Sequence, residues 1–160
     1  MRKTAILCLV LLVSLMLPSC SRDVRAEHCE IGIKLNRDFE KIETDGAFDL
    51  SYASDDIIVG ISRLSFAAAV ADGVPATLDP ESFAAVYMSR SGHKEEVLQY
   101  GEVPYYTYKV KTDTGSLTYL ATFYKSPYAY FVITFITKST GGAYIEDMLA
   151  LTNGVYLILE

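Results

Sequence analysis

From residue 31 onward, apolar and polar residues alternate over much of the chain, which predicts an antiparallel β-sheet. Ile31, Ile33 and Leu35 alternate with smaller or charged residues in a first strand. The last strand has Phe131, Ile133 and Phe135 on one face, with Tyr130, Val132 and Thr134 on the other. Similar patterns predict further strands at residues 47–52, 57–66 and 117–124 and an interrupted one at 96–100 and 103–110, about six strands in all.

Two segments have the period of a helix. The first begins at Asp79-Pro80-Glu81, which supplies an N-cap acceptor, a proline at the first helical position and an acid near the positive end of the helix dipole. Gly92 is typical of a helix end. The second helix is predicted over residues 144–152. The stretch at 67–78 is rich in alanine, and its conformation is left open.

The order of these elements resembles the PsbP-like fold, which is named for an extrinsic subunit of photosystem II. The similar segments are IGIKLNRDFEKIE, FDLSYASDDIIVGISRL, YAYFVITFITKS and GGAYIEDMLALTNGVYL. The resemblance implies an α+β domain over residues 29–160, in which two main helices cover an antiparallel sheet in a PsbP-like sandwich. It also implies an accessory or binding role, and it carries over no functional residue.

The first 19 residues follow the layout of a secretory signal peptide. Arg2 and Lys3 precede the apolar run Ala5–Leu17, in which Ser14 alone is polar. Spanning a bilayer takes about 20 helical residues, so this run is too short for a transmembrane helix. We therefore expect residues 1–19 to be removed on export.

Residues 17–20, Leu-Pro-Ser-Cys, resemble the lipobox of bacterial lipoprotein precursors. The resemblance implies that Cys20 is lipidated and becomes the first residue of the mature chain. Residues 20–28 would then form a tether that holds the domain at the extracytoplasmic face of the cell membrane. The alternative is cleavage after Ala26 by the ordinary signal peptidase, at a site with an unusual number of charged residues.

The cysteines predict a domain without disulfides. Cys8 leaves with the signal peptide and Cys20 carries lipid, so Cys29 has no partner within the chain; a Cys20–Cys29 bridge is the alternative if Cys20 is not lipidated. The run Glu27–Glu30 contains a histidine and Cys29, but His93 is the one other histidine, and zinc sites take three or four ligands. We predict no metal site.

Charge and motifs limit the functions further. Without residues 1–19 the chain has 12 basic and 20 acidic residues, a net charge of −8. That charge argues against nucleic acid as a partner and against electrostatic binding to anionic lipids. The sequence has no GxSxG, no HExxH and no phosphate-binding glycine loop. We therefore predict a protein that is not an enzyme and has no cofactor.

Tyrosine is the most unusual feature of the composition. Eight of the 12 tyrosines lie between residues 100 and 130. Tyrosines stabilise sheets through cross-strand pairs, but they are also enriched at binding surfaces. The candidate surface comprises Tyr106, Tyr108, Tyr119, Tyr128 and Tyr130. The leading hypothesis is a non-catalytic binding or accessory module for a protein partner near the membrane; the alternative is a receptor for a small apolar ligand, with a pocket between sheet and helix.

Overall fold

The computed structural model describes residues 23–113, 115–137 and 142–158. Within these ranges the chain forms three helices: α1 (Phe66–Ala71), α2 (Pro80–Arg90) and α3 (Gly142–Thr152). It also forms ten strands: β1 (Val24–His28), β2 (Ile31–Leu35), β3 (Glu40–Ile42), β4 (Leu50–Ala53), β5 (Ile57–Ser65), β6 (Leu98–Tyr100), β7 (Val103–Thr112), β8 (Gly115–Lys125), β9 (Ala129–Thr137) and β10 (Val155–Leu157). The predicted signal peptide and Cys20 lie outside the described residues.

Seven strands form one antiparallel sheet in the order β3-β4-β5-β9-β8-β7-β6. Strand β9 lies in the middle, and each of its residues is buried. Its neighbours β5 and β8 bring Ile61 and Thr122 opposite Ile133. A strand that is apolar on both faces needs a layer on each side, so β9 requires the sheet to be covered twice.

The first layer covers the face of the sheet that bears Phe131, Ile133 and Phe135. These side chains pack against Ile31 and Ile33 of β2 and against the side chains of α3. This core contains most of the long aliphatic residues of the domain. We call this side of the sheet the inner face.

The second layer covers part of the opposite face, which we call the helix face. Phe83 of α2 stacks on Tyr130 with ring centroids 4.1 Å apart, and it meets the edge of Phe123 at 5.8 Å. Ala69 of α1 and Val74 complete this smaller core. Its main contacts are therefore aromatic, in contrast to the aliphatic core on the inner face.

Helix α2 begins where the sequence predicts. The Asp79 carboxylate accepts a hydrogen bond from the backbone N–H of Ser82 at 2.8 Å, and Pro80 occupies the first turn. The hydrogen bond from Ser82 lowers the pKa of Asp79. After the helix, Gly92 has a φ of 76°, a left-handed conformation that favours glycine.

The expected α+β class with an antiparallel sheet is confirmed, whereas the expected numbers of strands and helices fit only roughly. The described residues contain ten strands in two sheets instead of about six in one. They also contain three helices instead of two. The additional helix is α1 (Phe66–Ala71), which overlaps the alanine-rich segment whose conformation was left open, and its N-cap is Ser65. Local alternation shows long strands well, whereas strands of three residues, such as β3 and β10, leave little pattern.

The second sheet has the order β1-β2-β10 and packs on the inner face. Its first strand, Val24–His28, pairs with β2 over its whole length, from Val24 opposite Leu35 to His28 opposite Ile31. The tether predicted over residues 20–28 therefore overlaps this strand at Val24–His28. Arg25 and Glu27 alternate with Val24 and Ala26, so the strand pattern is present, but only two apolar residues carry it.

An ion pair joins the two sheets. The Arg63 guanidinium of β5 donates two hydrogen bonds to the carboxylate of Glu30, at 2.9 and 3.0 Å. Both side chains are mostly buried, with about a quarter of each exposed (26% and 21%). The hydrogen bonds from Arg63 lower the pKa of Glu30. This paired geometry fixes the turn between β1 and β2 against the large sheet.

Replacing Glu30 with Gln tests this contact through its pH dependence. Because the pKa of Glu30 is lower in the folded chain, its contribution is complete above the ordinary value of 4.5 and is lost as the pH falls below it. We expect Glu30→Gln to destabilise the neutral protein by about 1 kcal/mol and to lose less stability between about pH 5 and pH 3. Urea unfolding at a series of pH values measures both.

The matched control is Glu43→Gln, which removes an exposed carboxylate from the loop after β3. This variant should follow the pH dependence of the unmodified chain. Identical acid profiles for Glu30→Gln and the unmodified chain would contradict the role of the ion pair.

Candidate functional site

The helix face is covered only in part. Helix α2 packs over the portion that bears Phe123 and Tyr130. Towards the end of the sheet at the β4–β5 turn, the same face forms an open groove of about 670 Å³. We call it the sheet groove; its floor comprises Ala53, Ile58, Leu117, Tyr119 and Ile136, and its rim carries Asp55 and Asp56.

Strand register brings the floor residues into one row. Ile58 of β5 lies opposite Ile136 of β9, which in turn lies opposite Tyr119 of β8. Ile58 and Tyr119 are half-buried, while Ile136 is 9% exposed. The neighbours of Ile58 along the chain, Ile57 and Val59, point to the inner face and belong to its core. Strand β5 is thus apolar on both faces although only one is covered here.

Phe48 lies next to the groove on the same face. Its ring lies over Gly60, which is two residues from Ile58 on the same face of β5. A Cβ atom added to Gly60 would be only 2.4 Å from a ring carbon of Phe48. Glycine is needed at that position because any side chain would displace the ring. Phe48 therefore fills the space above the sheet on one side of the groove.

Tyr119 lines the groove, and Tyr108 lies beside it, opposite it on the neighbouring strand β7. Their rings stack with centroids 4.8 Å apart and an interplanar angle of 15°. The ring of His93 lies 4.0 Å from that of Tyr108. Burial raises the pKa of Tyr108 to about 12, so its phenol is neutral at ordinary pH. The pair offers a flat aromatic wall with polar tips, which suits contact with a partner.

The structure divides the five predicted tyrosines into three groups. Tyr108 and Tyr119 are half-buried and lie together. Tyr106 and Tyr130 are core residues, 1% and 0% exposed, and the hydroxyl of Tyr130 donates to the carbonyl of Pro75 at 2.8 Å. Tyr128 is 65% exposed in the β8–β9 turn, at the opposite end of β9 from Ile136.

Sequence reasoning missed the aliphatic floor of the site. Ile58, Leu117 and Ile136 are apolar residues near strand ends, which the pattern alone assigns to a core. One signal for the floor was available in the sequence. Ile57 and Ile58 are adjacent, so they place apolar side chains on both faces at the start of β5. Whether a helix covers the second face depends on tertiary packing, which local periodicity does not record.

Histidine and cysteine do not assemble a catalytic group in the described residues. Cys29 Sγ and Asp49 Oδ2 both lie 3.7 Å from the same nitrogen of His28, Nε2. A nucleophile–base–orienter triad needs the two partners on different ring nitrogens. Across the described ranges, no three His, Cys, Asp or Glu side chains come together in a way that could hold a metal ion.

The space between helix α2 and the sheet is largely filled. Phe83, Phe123 and Tyr130 pack ring against ring beneath the helix. A cleft of about 290 Å³ remains at one end, lined by residues that include Leu64, Val86 and Arg90. The larger sheet groove is not beneath α2, so the site differs from the pocket between sheet and helix that the alternative hypothesis expected.

Comparisons with known proteins add information on the fold alone. Neither a protein-family model nor a curated protein matches this chain. A protein of Bacteroides thetaiotaomicron with a crystal structure at 1.50 Å is similar, with a TM-score of 0.55 and 12% identity over 81% of this chain. The match spans 46% of that protein, less than half of its length.

A cyanobacterial PsbP from Synechocystis is also similar, with a TM-score of 0.49 and 10% identity. The match covers 88% of this chain and 98% of that one. Among the described residues, no helix is long and apolar enough to cross a bilayer.

A double-mutant cycle tests the aromatic wall. Tyr108→Ala and Tyr119→Ala each remove one ring of a stacked pair, so their effects on the free energy of unfolding should be non-additive by about 0.5–1.5 kcal/mol. Denaturant unfolding of the two single variants and the double variant gives the coupling. Tyr128→Ala combined with Tyr119→Ala is the control, because these rings lie at opposite ends of the sheet and should be additive. Additivity of the first pair would refute the stack.

Proposed function

We propose that this chain is a non-catalytic binding module that holds a protein partner in the sheet groove, close to a membrane. The observation that carries the proposal is the apolar floor of Ile58, Leu117 and Ile136, which no helix of the described residues covers. Burying such side chains against a partner contributes roughly 25 cal/mol for each Å² removed from water. An exposed apolar groove flanked by aromatic rings, as this one is by Phe48 and Tyr119, is characteristic of interaction sites.

Membrane anchoring through a lipid on Cys20 is part of the proposal. Because β1 begins at Val24, only residues 21–23 would separate the lipidated cysteine from the fold. Three residues span about 10–11 Å when fully extended. The folded domain would then sit almost directly on the bilayer, at the extracytoplasmic face of the cell membrane.

The groove lies at the end of the domain where the chain enters. Val24 pairs with Leu35 at that end, and the next residue, Asn36, shares a cleft of about 420 Å³ with the β4–β5 turn. The same turn, Ser54–Asp56, also lines the sheet groove. A short tether would therefore hold the groove near the membrane, where an anchored partner is accessible.

A small apolar ligand is the second candidate for the groove. Its volume of about 670 Å³ lies within the usual range of ligand pockets, about 300–1,000 Å³. Such pockets normally enclose most of the ligand, whereas this groove is open along the sheet. The openness favours a protein partner.

Lipidation is tested by changing Cys20 to Ser. We expect the unmodified chain to fractionate with membranes and its intact mass to include a diacylglyceryl group, because several acyl chains give durable attachment. Cys20→Ser should leave the membrane fraction and lose that mass. Cys29→Ser is the control and should remain lipidated. Membrane attachment of Cys20→Ser at the level of the unmodified chain would contradict the anchor.

Photo-crosslinking in the membranes of the native cells tests the partner site. A photoreactive phenylalanine analogue at Tyr119 should give one dominant crosslinked protein, whereas the same analogue at the exposed Tyr128 should not. Adding Ile58→Ala and Leu117→Ala should reduce the crosslink several-fold, because these changes remove much of the apolar floor.

The exposed Val70, 59% accessible on α1, provides a matched truncation, and Val70→Ala should leave the crosslink unchanged. Circular dichroism confirms that each variant folds. Equal crosslinking from positions 119 and 128 would contradict the assignment of the partner site to the groove.

A further inference from the structure

The rim of the sheet groove is acidic. Asp55 and Asp56 are both exposed at the β4–β5 turn, and they form no ion pair with another described residue. Within the described part of the chain, no lysine or arginine lines the groove. The rim thus carries two negative charges that the neighbouring described side chains do not neutralise.

The opposite side of the same turn is acidic too. Asp55 and Asp56 also line the neighbouring cleft, together with Asp38 and Asp147. Four carboxylates therefore lie in or beside one hairpin turn, and one of them, Asp38, is 4.0 Å from the guanidinium of Arg37. A low-dielectric apolar surface beside them, such as Ile58 and Leu117, concentrates the negative potential towards whatever enters the groove.

We propose that the occupant of the sheet groove is a partner protein segment in which apolar side chains stand next to lysine or arginine. This inference rests on the proposed function and specifies the chemistry of its partner. The apolar side chains fill the floor between Ile58, Ile136 and Tyr119. The basic side chains reach the carboxylates of Asp55 and Asp56 at the rim, where a long aliphatic stem remains in contact with the apolar surface.

Charge selects this occupant over a lipid surface. Anionic headgroups would be repelled by the rim carboxylates. Electrostatic complementarity at an exposed rim mainly determines specificity and association rate, while the buried apolar contacts provide most of the affinity. The two parts of the site therefore have separable effects.

The test selects random peptides displayed on phage against the full chain reconstituted in phosphatidylcholine vesicles. We expect the enriched peptides to combine apolar residues with lysine or arginine. The enriched peptide is then synthesised with a fluorescent label, and its binding is measured by anisotropy. Asp55→Asn with Asp56→Asn should weaken binding by roughly three- to tenfold and reduce its salt dependence. Ile58→Ala with Leu117→Ala should weaken it further.

A control with the same loss of charge is Glu96→Gln with Glu102→Gln. Both glutamates are exposed and flank the far edge strand β6, so this variant should bind as the unmodified chain does. The control separates the rim from the net charge of the protein.

The outcomes separate this inference from the proposed function. No enrichment, enrichment of peptides without basic residues, or binding that Asp55→Asn with Asp56→Asn leaves unchanged would overturn the inference. If the crosslink at Tyr119 still depends on Ile58 and Leu117, the protein-binding function would stand with a different partner chemistry. Binding of the Cys20→Ser chain to anionic vesicles that requires Ile58 and Leu117 would assign the groove to lipid and overturn both.

Discussion

Burial of β9 on both faces is the constraint on which the rest of the structure depends. Each of its nine residues is buried, and a strand of that kind is stable only between two layers. On the inner face the cover is the small sheet with α3, and it extends along the strand from Phe131 to Phe135. On the helix face the cover is α1 and α2, which together reach only the first part of the strand.

The unequal length of these covers explains the sheet groove. Helix α2 has 11 residues and lies over the aromatic core at Phe123 and Tyr130. Strand β5 and its neighbours continue past it with apolar side chains, because the same strands face a core on their other side. The groove is thus a region where the sheet is longer than its second layer. The floor residues of the groove are part of paired strands, so their positions are fixed by the sheet.

Sequence alone could predict the elements whose pattern is local. The alternation at residues 128–137 and the cap at Asp79 each depend on neighbours in the chain, and both predictions agree with the structure. The small sheet could not be predicted in this way, because β2 pairs with Val155–Leu157 at the other end of the described chain. The tyrosines show the same limit. Tyr106 and Tyr108 share one face of β7, yet the first is 1% exposed and the second is half-buried. What separates them is the position of α2.

The pairing of β2 has a consequence for how the chain folds. Its two partners, β1 and β10, are separated by more than a hundred residues of sequence, and the backbone N–H of Ile158 also donates to the carbonyl of Glu30 at 2.9 Å. Contacts between such distant segments must close a large loop before they gain energy, which slows folding. The small sheet cannot be completed until residues 155–157 reach β2. Until then, one side of β2 and the apolar surface beneath it remain exposed to water.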